Sequence, residues 1–119
     1  MVFNIVARNH DDHAKNHAFM MVGQEWRLTP AYDLCFAYKK GSRWIDQHQM
    51  RCNGKRDNFV REDLLQAARS ADVRHAEDLI AQVSESLHRW SEWATKAGLS
   101  DAHQTDIERH FRWDLLSPG

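Results

Sequence analysis

Hydrophobic and polar positions follow two different periods along this chain, and the change of period divides the sequence into two parts. In the first part, Trp26 and Leu28 alternate with charged residues, which is the period of a half-buried strand. The segments Phe19–Val22 and Glu25–Leu28 flank Gly23-Gln24, and a Gly-X pair suits a type II′ turn. The pattern therefore predicts a β-hairpin made of these two segments.

In the second part, apolar residues recur every three or four positions, which indicates amphipathic helices. The spacing predicts a helix from Val60, a long helix from a cap at Asp72 to a stop at Gly98, and a last helix from Ser100 to about Trp113. The long helix would extend roughly 35 Å at 1.5 Å per residue. The first two apolar stripes consist of Val60, Leu64, Ala67, Ala68 and Ala71, and of Ala76, Leu79, Ile80, Val83, Leu87, Trp90, Ala94 and Ala97. The fold class predicted is mainly α with one small hairpin.

The region between these two parts carries weaker signals. Residues 34–44 are rich in aromatic side chains around a basic, turn-prone insert, and we interpret them as a solvated loop with anchoring aromatics rather than as a substrate-facing loop. Asn53-Gly54 is a strong turn pair after the alternating residues Met50 and Cys52, so a second short hairpin is expected there.

Composition narrows the class of protein. The chain has 119 residues, enough for one domain, and a net charge of −1, which gives no electrostatic reason for a nucleic acid or an anionic membrane as a partner. It has no apolar run of the length needed for a signal peptide or a membrane span. The two cysteines, Cys35 and Cys52, match no zinc spacing and are interpreted as reduced thiols. We expect a cytoplasmic protein.

The densest chemistry lies in the stretch Asn9–His17, which holds two carboxylates, two amides, three imidazoles and an ammonium group. Asp11 and Asn16 are separated by four residues, the interval at which protein kinases place the catalytic Asp and a metal-binding Asn. Kinases need a further metal-binding Asp after this loop, and Asp33 follows the predicted hairpin. The spacing predicts that Asp11, Asn16 and Asp33 converge on one metal-sized site.

Two motifs together make a family resemblance specific. Asp11-x-His13-x-Lys15-Asn16 followed by Pro30-Ala31-Tyr32-Asp33 resembles the C-terminal part of HipA-family serine/threonine kinases, the toxins of bacterial toxin–antitoxin pairs. The segments 53–57 and 61–65 are similar to the family's next region. The resemblance implies that residues 1–119 are a HipA-like C-terminal domain, the helical C-lobe of a protein-kinase-like fold. It also implies that the N-terminal nucleotide-binding lobe is missing from this sequence.

The resemblance further implies a set of roles for individual residues. By it, Asp11 would act as the catalytic base or orient the hydroxyl, Lys15 would lie near the transferred phosphate, His13 and Tyr32 would lie beside the nucleotide, and Asn16 and Asp33 would hold Mg²⁺. The cofactors implied are Mg²⁺ and ATP, and the partners implied are a protein substrate and an antitoxin protein. Asp12 departs from the family pattern, because it is bulkier and more acidic than the residue expected there.

Two other functions compete with the kinase interpretation. The chain contains no G-x-G-x-x-G phosphate loop, so it is expected to be inactive alone, and a non-catalytic helical interaction module is the main alternative. A metal-dependent phosphohydrolase could use His10-Asp11, His13 and His17. Such a site would need further ligands, whereas the remaining histidines fall mostly on polar faces: His48, His75, His88, His103 and His110.

The start of the chain leads to a prediction about assembly. Val2–Ala7 is apolar and is interpreted as the end of a buried helix, yet Val2, Phe3, Ile5 and Val6 have no evident local partner. Exposed apolar patches usually mark association surfaces, and a two-fold axis covers such a patch with its own copy. The sequence therefore predicts a homodimer formed through the N-terminal segment.

Overall fold

A computed structural model describes residues 1–118 of the chain. The elements are α1 (Val2–Val6), β1 (Phe19–Val22), β2 (Glu25–Leu28), α2 (Arg61–Ser70), α3 (Ala76–His88), α4 (Trp90–Lys96) and α5 (Asp101–Glu108), with short 3-10 turns at Ala14–Asn16 and Trp113–Leu115. The fold is therefore mostly helical with one two-stranded antiparallel sheet, as the change of period predicted. The longest helix has 13 residues, and none within residues 1–118 is long and apolar enough to cross a membrane.

The hairpin has the predicted bounds and the predicted turn. Phe19 pairs with Leu28 and Val22 pairs with Glu25, which leaves a two-residue loop. Gly23 has a φ of +64°, as the first position of a type II′ turn requires. The expected half-burial is wrong, because all eight strand residues are exposed, including Trp26 at 68%. The hairpin projects from the body, since its residues are exposed on both faces and no other strand or helix within residues 1–118 contacts it extensively.

Helix α1 lies at the centre of the hydrophobic core rather than on the surface. Ile5 and Val6 are fully buried, and the backbone N–H of Arg112 donates to the Val6 carbonyl at 2.9 Å. The prediction that the N-terminal segment is an exposed apolar patch is therefore wrong. The homodimer was predicted on that patch, so this argument for self-association no longer holds. The core consists of Ile5, Val6, Ala7, Cys52, Phe59, Leu64, Ile80, Leu87, Phe111, Leu115 and Leu116. These side chains come from both ends of the sequence and from its middle, so the two terminal segments pack into one shared core.

The N-terminus of α2 is fixed by a buried carboxylate. Asp63 accepts hydrogen bonds from Asn53 Nδ2, Lys55 Nζ and the Val60 backbone N–H, each at 2.8 Å. Burial raises the pKa of Asp63, but these hydrogen bonds and the charge of Lys55 outweigh it and hold the pKa below its usual value. The 53–55 turn is thereby tied to the helix. The expected second hairpin is reduced to one bridge between Cys52 and Lys55.

The single long helix predicted from Asp72 to Gly98 is wrong in two places. Asp72 and His75 adopt left-handed backbone conformations, with φ of +51° and +58°, so the chain turns between α2 and α3 and the helix begins only at Ala76. The helix is then interrupted at Arg89. Just before the interruption, the Ser86 hydroxyl donates to the Gln82 carbonyl, and such back-bonding is known to bend helices.

The last helix begins as predicted and ends early. Ser100 caps it by accepting from the His103 N–H, and the helix stops at Glu108 instead of about Trp113. Beyond it, Arg112 binds other parts of the chain, because its guanidinium donates to the Phe59 carbonyl and to Asp114. Tertiary hydrogen bonds thus replace the helical ones that would have extended the element.

We predict that Asp63→Asn lowers the free energy of unfolding by about 1–3 kcal/mol, because an amide cannot accept all three hydrogen bonds. Urea denaturation at neutral pH measures this. The control is Glu62→Gln, which changes the neighbouring exposed carboxylate and should cost less than about 0.5 kcal/mol. Equal effects of the two substitutions would contradict a special role for the buried carboxylate.

Candidate functional site

The stretch Asn9–His17 leaves α1 through a sharp turn that several hydrogen bonds fix. Arg8 has a φ of +59°, and its Nε donates to the His110 carbonyl at 3.0 Å. Asn9 is buried, with its backbone N–H and its Nδ2 both bonded to Asn4, at 2.9 and 3.1 Å. A parallel bridge joins Asn9 to Ala37. The loop therefore starts from a rigid position.

Within the loop, side chains point alternately inward and outward. His10 and Asp12 are buried at 0% and 1% exposure. Asp11 lies between these two residues and His13 follows them, and their side chains are 49% and 41% exposed, respectively. The Asp11 carboxylate lies 3.7 Å from His13 Nε2. The loop therefore presents Asp11 to solvent while the residues on both sides of it anchor the backbone.

Asp12 forms a buried pair with His48, which lies 36 positions away along the chain. The Asp12 Oδ2 is 2.8 Å from His48 Nδ1, and its Oδ1 accepts from the backbone N–H groups of Gln49 and Met50 at 2.8 and 3.3 Å. Burial raises the pKa of Asp12, but the hydrogen bond and charge of His48 and the two backbone donors outweigh it, so the pKa lies below its usual value. Asp12 is thus a buried carboxylate that anchors the loop.

His10 packs its ring against the same histidine. The centroids of the His10 and His48 rings are 3.9 Å apart, and Tyr38 lies 4.9 Å from His10 on another side. Neither ring nitrogen of His10 has a hydrogen-bond partner among the described residues. Burial, followed by the proximity of His48 and Arg8, lowers the pKa of His10 to about 4. His10 is therefore neutral at physiological pH.

This arrangement corrects one expectation about the histidines and bears on the competing phosphohydrolase interpretation. His48 is buried at 1% exposure and does not lie on a polar face. Within residues 1–118, no group of three or more His, Cys, Asp or Glu side chains could hold a metal ion, so the ligand set of a phosphohydrolase built on His10-Asp11, His13 and His17 is not assembled.

A 3-10 turn at Ala14–Asn16 brings the end of the loop back toward its middle. Asn16 Nδ2 donates to the Asp11 backbone carbonyl at 3.0 Å. The Tyr32 hydroxyl donates to the Lys15 backbone carbonyl at 2.7 Å. The second hydrogen bond fastens the segment after the hairpin to the loop, so the two motifs of the sequence lie side by side.

The loop, the hairpin end and α1 enclose a cleft of about 220 Å³. Its walls are formed by Met1, Phe3, Asn4, Asn9, Asn16, His17, Leu28, Thr29, Pro30, Ala31, Tyr32, Asp33 and Leu34. Asp33 has a φ of +54°, a conformation that is uncommon outside glycine and that is often found at functional sites. Its backbone carbonyl lies 3.5 Å from Asn9 Nδ2. The cleft therefore joins a wall anchored by Asn9 to the exposed residue Asp33.

Three of the six predicted site residues line this cleft, namely Asn16, Tyr32 and Asp33. The other three, Asp11, His13 and Lys15, lie on the same loop but outside the cleft wall. Asp11 is joined to Asn16 only through its backbone carbonyl, and Lys15 is an exposed residue. The individual roles of all six residues stay predictions.

Sequence reasoning missed the residues that hold the loop in place. Asn4, Asn9 and His48 are buried and hydrogen-bonded, but none belongs to a motif with a recognisable spacing. One signal did exist, because Asp12 was noted as unexpectedly acidic. Its partner could not be found without the fold, since His48 is distant in sequence.

Comparison with known proteins returns one family. The model of the HipA-like C-terminal domain matches residues 1–91, which is 91 of 119 residues and thus more than half of the chain. The matched region contains the whole loop, the hairpin, the cleft and helices α1 to α3. No curated protein and no solved structure matches the chain significantly.

We predict that the native chain loses stability as pH falls from about 6.5 to about 4, because unfolding lets His10 take up a proton that the folded state excludes until about pH 4. The contribution is on the order of 2–3 kcal/mol at pH 4 relative to pH 7. In His10→Phe, the pH slope of the unfolding free energy in this window should fall by about one proton.

Urea denaturation at pH 7, 6, 5 and 4.5 measures this slope. His103→Phe serves as the control. His103 is exposed on α5, so its replacement should leave unchanged the contribution of His10 to the pH slope of the unfolding free energy. Asp12 contributes little to this slope, because its lowered pKa gives stability that is present above the usual aspartate value of 3.8 and is lost mainly as pH falls below that value. A His10→Phe variant with an unchanged slope would contradict the prediction.

Proposed function

Because the chain belongs to the family of HipA-like C-terminal domains, we propose that it is the catalytic lobe of an ATP-dependent serine/threonine protein kinase. The observation that carries the proposal is that Asn16 and Asp33, which are 17 positions apart, line one cleft. The hairpin and the hydrogen bond from Tyr32 to Lys15 bring them there. A loop Asn and a later Asp are the pair with which protein kinases hold magnesium.

The donor set of the cleft fits Mg²⁺. Mg²⁺ prefers oxygen ligands and is usually held by one or two protein groups together with water and phosphate oxygens. Asn16 uses its Nδ2 to bind the Asp11 carbonyl, which leaves its Oδ1 as a possible ligand, and Asp33 is exposed at the cleft. When bound, the ion would neutralise the charge that develops between the phosphates.

The remaining residues would act on the substrates. Asp11 would orient the hydroxyl of the protein substrate and accept its proton, a role that suits a half-exposed carboxylate on an anchored backbone. Lys15 would stabilise charge on the transferred phosphoryl group. Tyr32 and His13 would lie beside the nucleotide.

The nucleotide would need a second wall. Sites for small molecules usually enclose roughly 300–1,000 Å³, and the cleft offers about 220 Å³. The apolar hairpin side chains next to it are exposed, and Leu28 belongs to both the hairpin and the cleft. We propose that a nucleotide-binding lobe covers this side. By the family resemblance, the complete kinase would be a toxin that phosphorylates a protein and is held by an antitoxin protein.

One observation favours a second function, a non-catalytic interaction module. The hairpin carries Phe19 and Leu28 as one cross-strand pair and Met21 and Trp26 as the next, and all four are more than half exposed. Apolar surface of this kind is typical of a binding site for another protein. In this alternative, a divalent cation would have no effect at Asn16 and Asp33.

We predict that Mn²⁺, used as a paramagnetic substitute for Mg²⁺, selectively broadens the NMR amide signals of residues 16 and 33 and their neighbours. Asp33→Asn should weaken the binding at least about tenfold, because it removes the only charged ligand proposed. The control is Asp72→Asn, which changes an exposed aspartate whose left-handed backbone Asn tolerates. Uniform broadening, or none at the cleft, would support the interaction module instead.

We further predict that this chain alone does not transfer phosphate from ATP in the presence of Mg²⁺, because its cleft encloses only part of a nucleotide. Incorporation of labelled γ-phosphate into the chain or into a generic protein substrate measures this. Robust transfer that Asp11→Ala abolishes would contradict the need for a second lobe and would support the kinase chemistry.

A further inference from the structure

We propose that His48 is a positioning residue for Asp11, acting through both of its neighbours in the loop. This inference rests on the proposed function in one respect, the catalytic role of Asp11. The contacts themselves are independent of that function. His48 lies outside every motif that led to the kinase interpretation.

His48 holds the loop at two points. Its Nδ1 is 2.8 Å from Asp12 Oδ2, and the centroid of its ring is 3.9 Å from that of the His10 ring. His10 and Asp12 are the residues immediately before and after Asp11, and both are buried. One imidazole therefore contacts the side chains on each side of the proposed catalytic carboxylate.

His48 is itself held rigidly. Its backbone N–H donates to the Arg56 carbonyl at 3.0 Å, and its carbonyl accepts from Arg56 Nε at 2.6 Å. The edge of its ring meets Phe59, with centroids 5.5 Å apart. The neighbouring turn is bonded to Asp63 on α2. Rigid support thus runs from a helix, through His48, to the loop.

Asp11 lacks comparable support of its own. Its carboxylate is half exposed, and its nearest ionic partner, His13, is 3.7 Å away and also half exposed. Its backbone carbonyl accepts from Asn16 Nδ2 at 3.0 Å, so a shift of residue 11 would also move Asn16. Small displacements of reacting groups cost large factors in rate, and outer contacts of metal ligands typically contribute 10–100-fold to metal affinity. The position of His48 thus determines the position of both proposed site residues.

Two substitutions separate the hydrogen bond from the rest of the fold. His48→Phe keeps an aromatic ring against His10 and removes the donor to Asp12. His48→Asn loses the ring, but its amide nitrogen can occupy the place of Nδ1 and donate to Asp12. The control is Gln104→Leu on α5, which removes the hydrogen bonds of another buried polar side chain, to Thr95 on α4 and to the Leu99 carbonyl.

Two readouts are measured on the full chain at a temperature where near-ultraviolet circular dichroism shows each variant folded. The first is the pair of side-chain NH₂ resonances of Asn16, identified by Asn16→Asp, which report the hydrogen bond to the Asp11 carbonyl without any metal. The second is the affinity of the cleft for Mn²⁺ alone. If His48→Phe does not fold, His48→Gln replaces it, because its longer amide cannot occupy the place of Nδ1.

We expect His48→Phe to shift or broaden the Asn16 resonances and to weaken Mn²⁺ binding about tenfold. His48→Asn should restore both readouts, and Gln104→Leu should change neither. The inference is overturned if His48→Phe leaves the Asn16 resonances unchanged, or if Gln104→Leu changes them as much. Absence of Mn²⁺ binding in the native chain would overturn the proposed function instead, while the Asn16 resonances would still decide the positioning role.

Discussion

The structure of the loop depends on one buried interaction, the pair formed by Asp12 and His48. Taking a carboxylate out of water is costly, and Asp12 is almost fully buried. Its oxygens are satisfied by His48 and by two backbone N–H groups, which together keep its pKa low. Because a buried charge without a partner is strongly unfavourable, the loop cannot leave the 48–50 segment without breaking the pair. The interaction therefore joins the loop to a part of the chain with which it shares no secondary structure.

The molecule combines a closed anchoring side with an open side that carries the cleft and the hairpin. On the closed side, Asn4 of α1 and the loop residues Asn9, His10 and Asp12 are buried. On the open side, Asp33 and the hairpin are exposed next to the cleft. Such a division is expected of a binding site, because groups that act on a ligand must reach it while their backbone stays fixed.

Much of the fold could be predicted from the sequence, and the errors have identifiable causes. The hairpin bounds, the starts of α2 and α5 and the mainly α class follow from local periodicity, turn residues and caps, which act over a few residues. The long helix failed because Asp72 and His75 take left-handed conformations and Ser86 bonds back to Gln82. The predicted burial of the hairpin and the predicted exposure of Ile5 and Val6 are both wrong. Alternation and apolar character show that a surface is suited to burial, but they do not show which of several such surfaces the fold buries.

The sequence by itself determined the family and the candidate site residues, because the stretch Asn9–His17, Tyr32 and Asp33 are recognisable from residue types and spacings alone. It also placed these residues on a loop and after a hairpin. Only the tertiary structure decided that Asn16, Tyr32 and Asp33 share one cleft while Asp11 lies beside it, and that His48 supports the loop. The physical reason is the distance along the sequence over which each interaction acts. Turn and cap preferences are encoded in neighbouring residues, whereas a buried hydrogen bond across 36 positions exists only once the whole core has brought its two partners together.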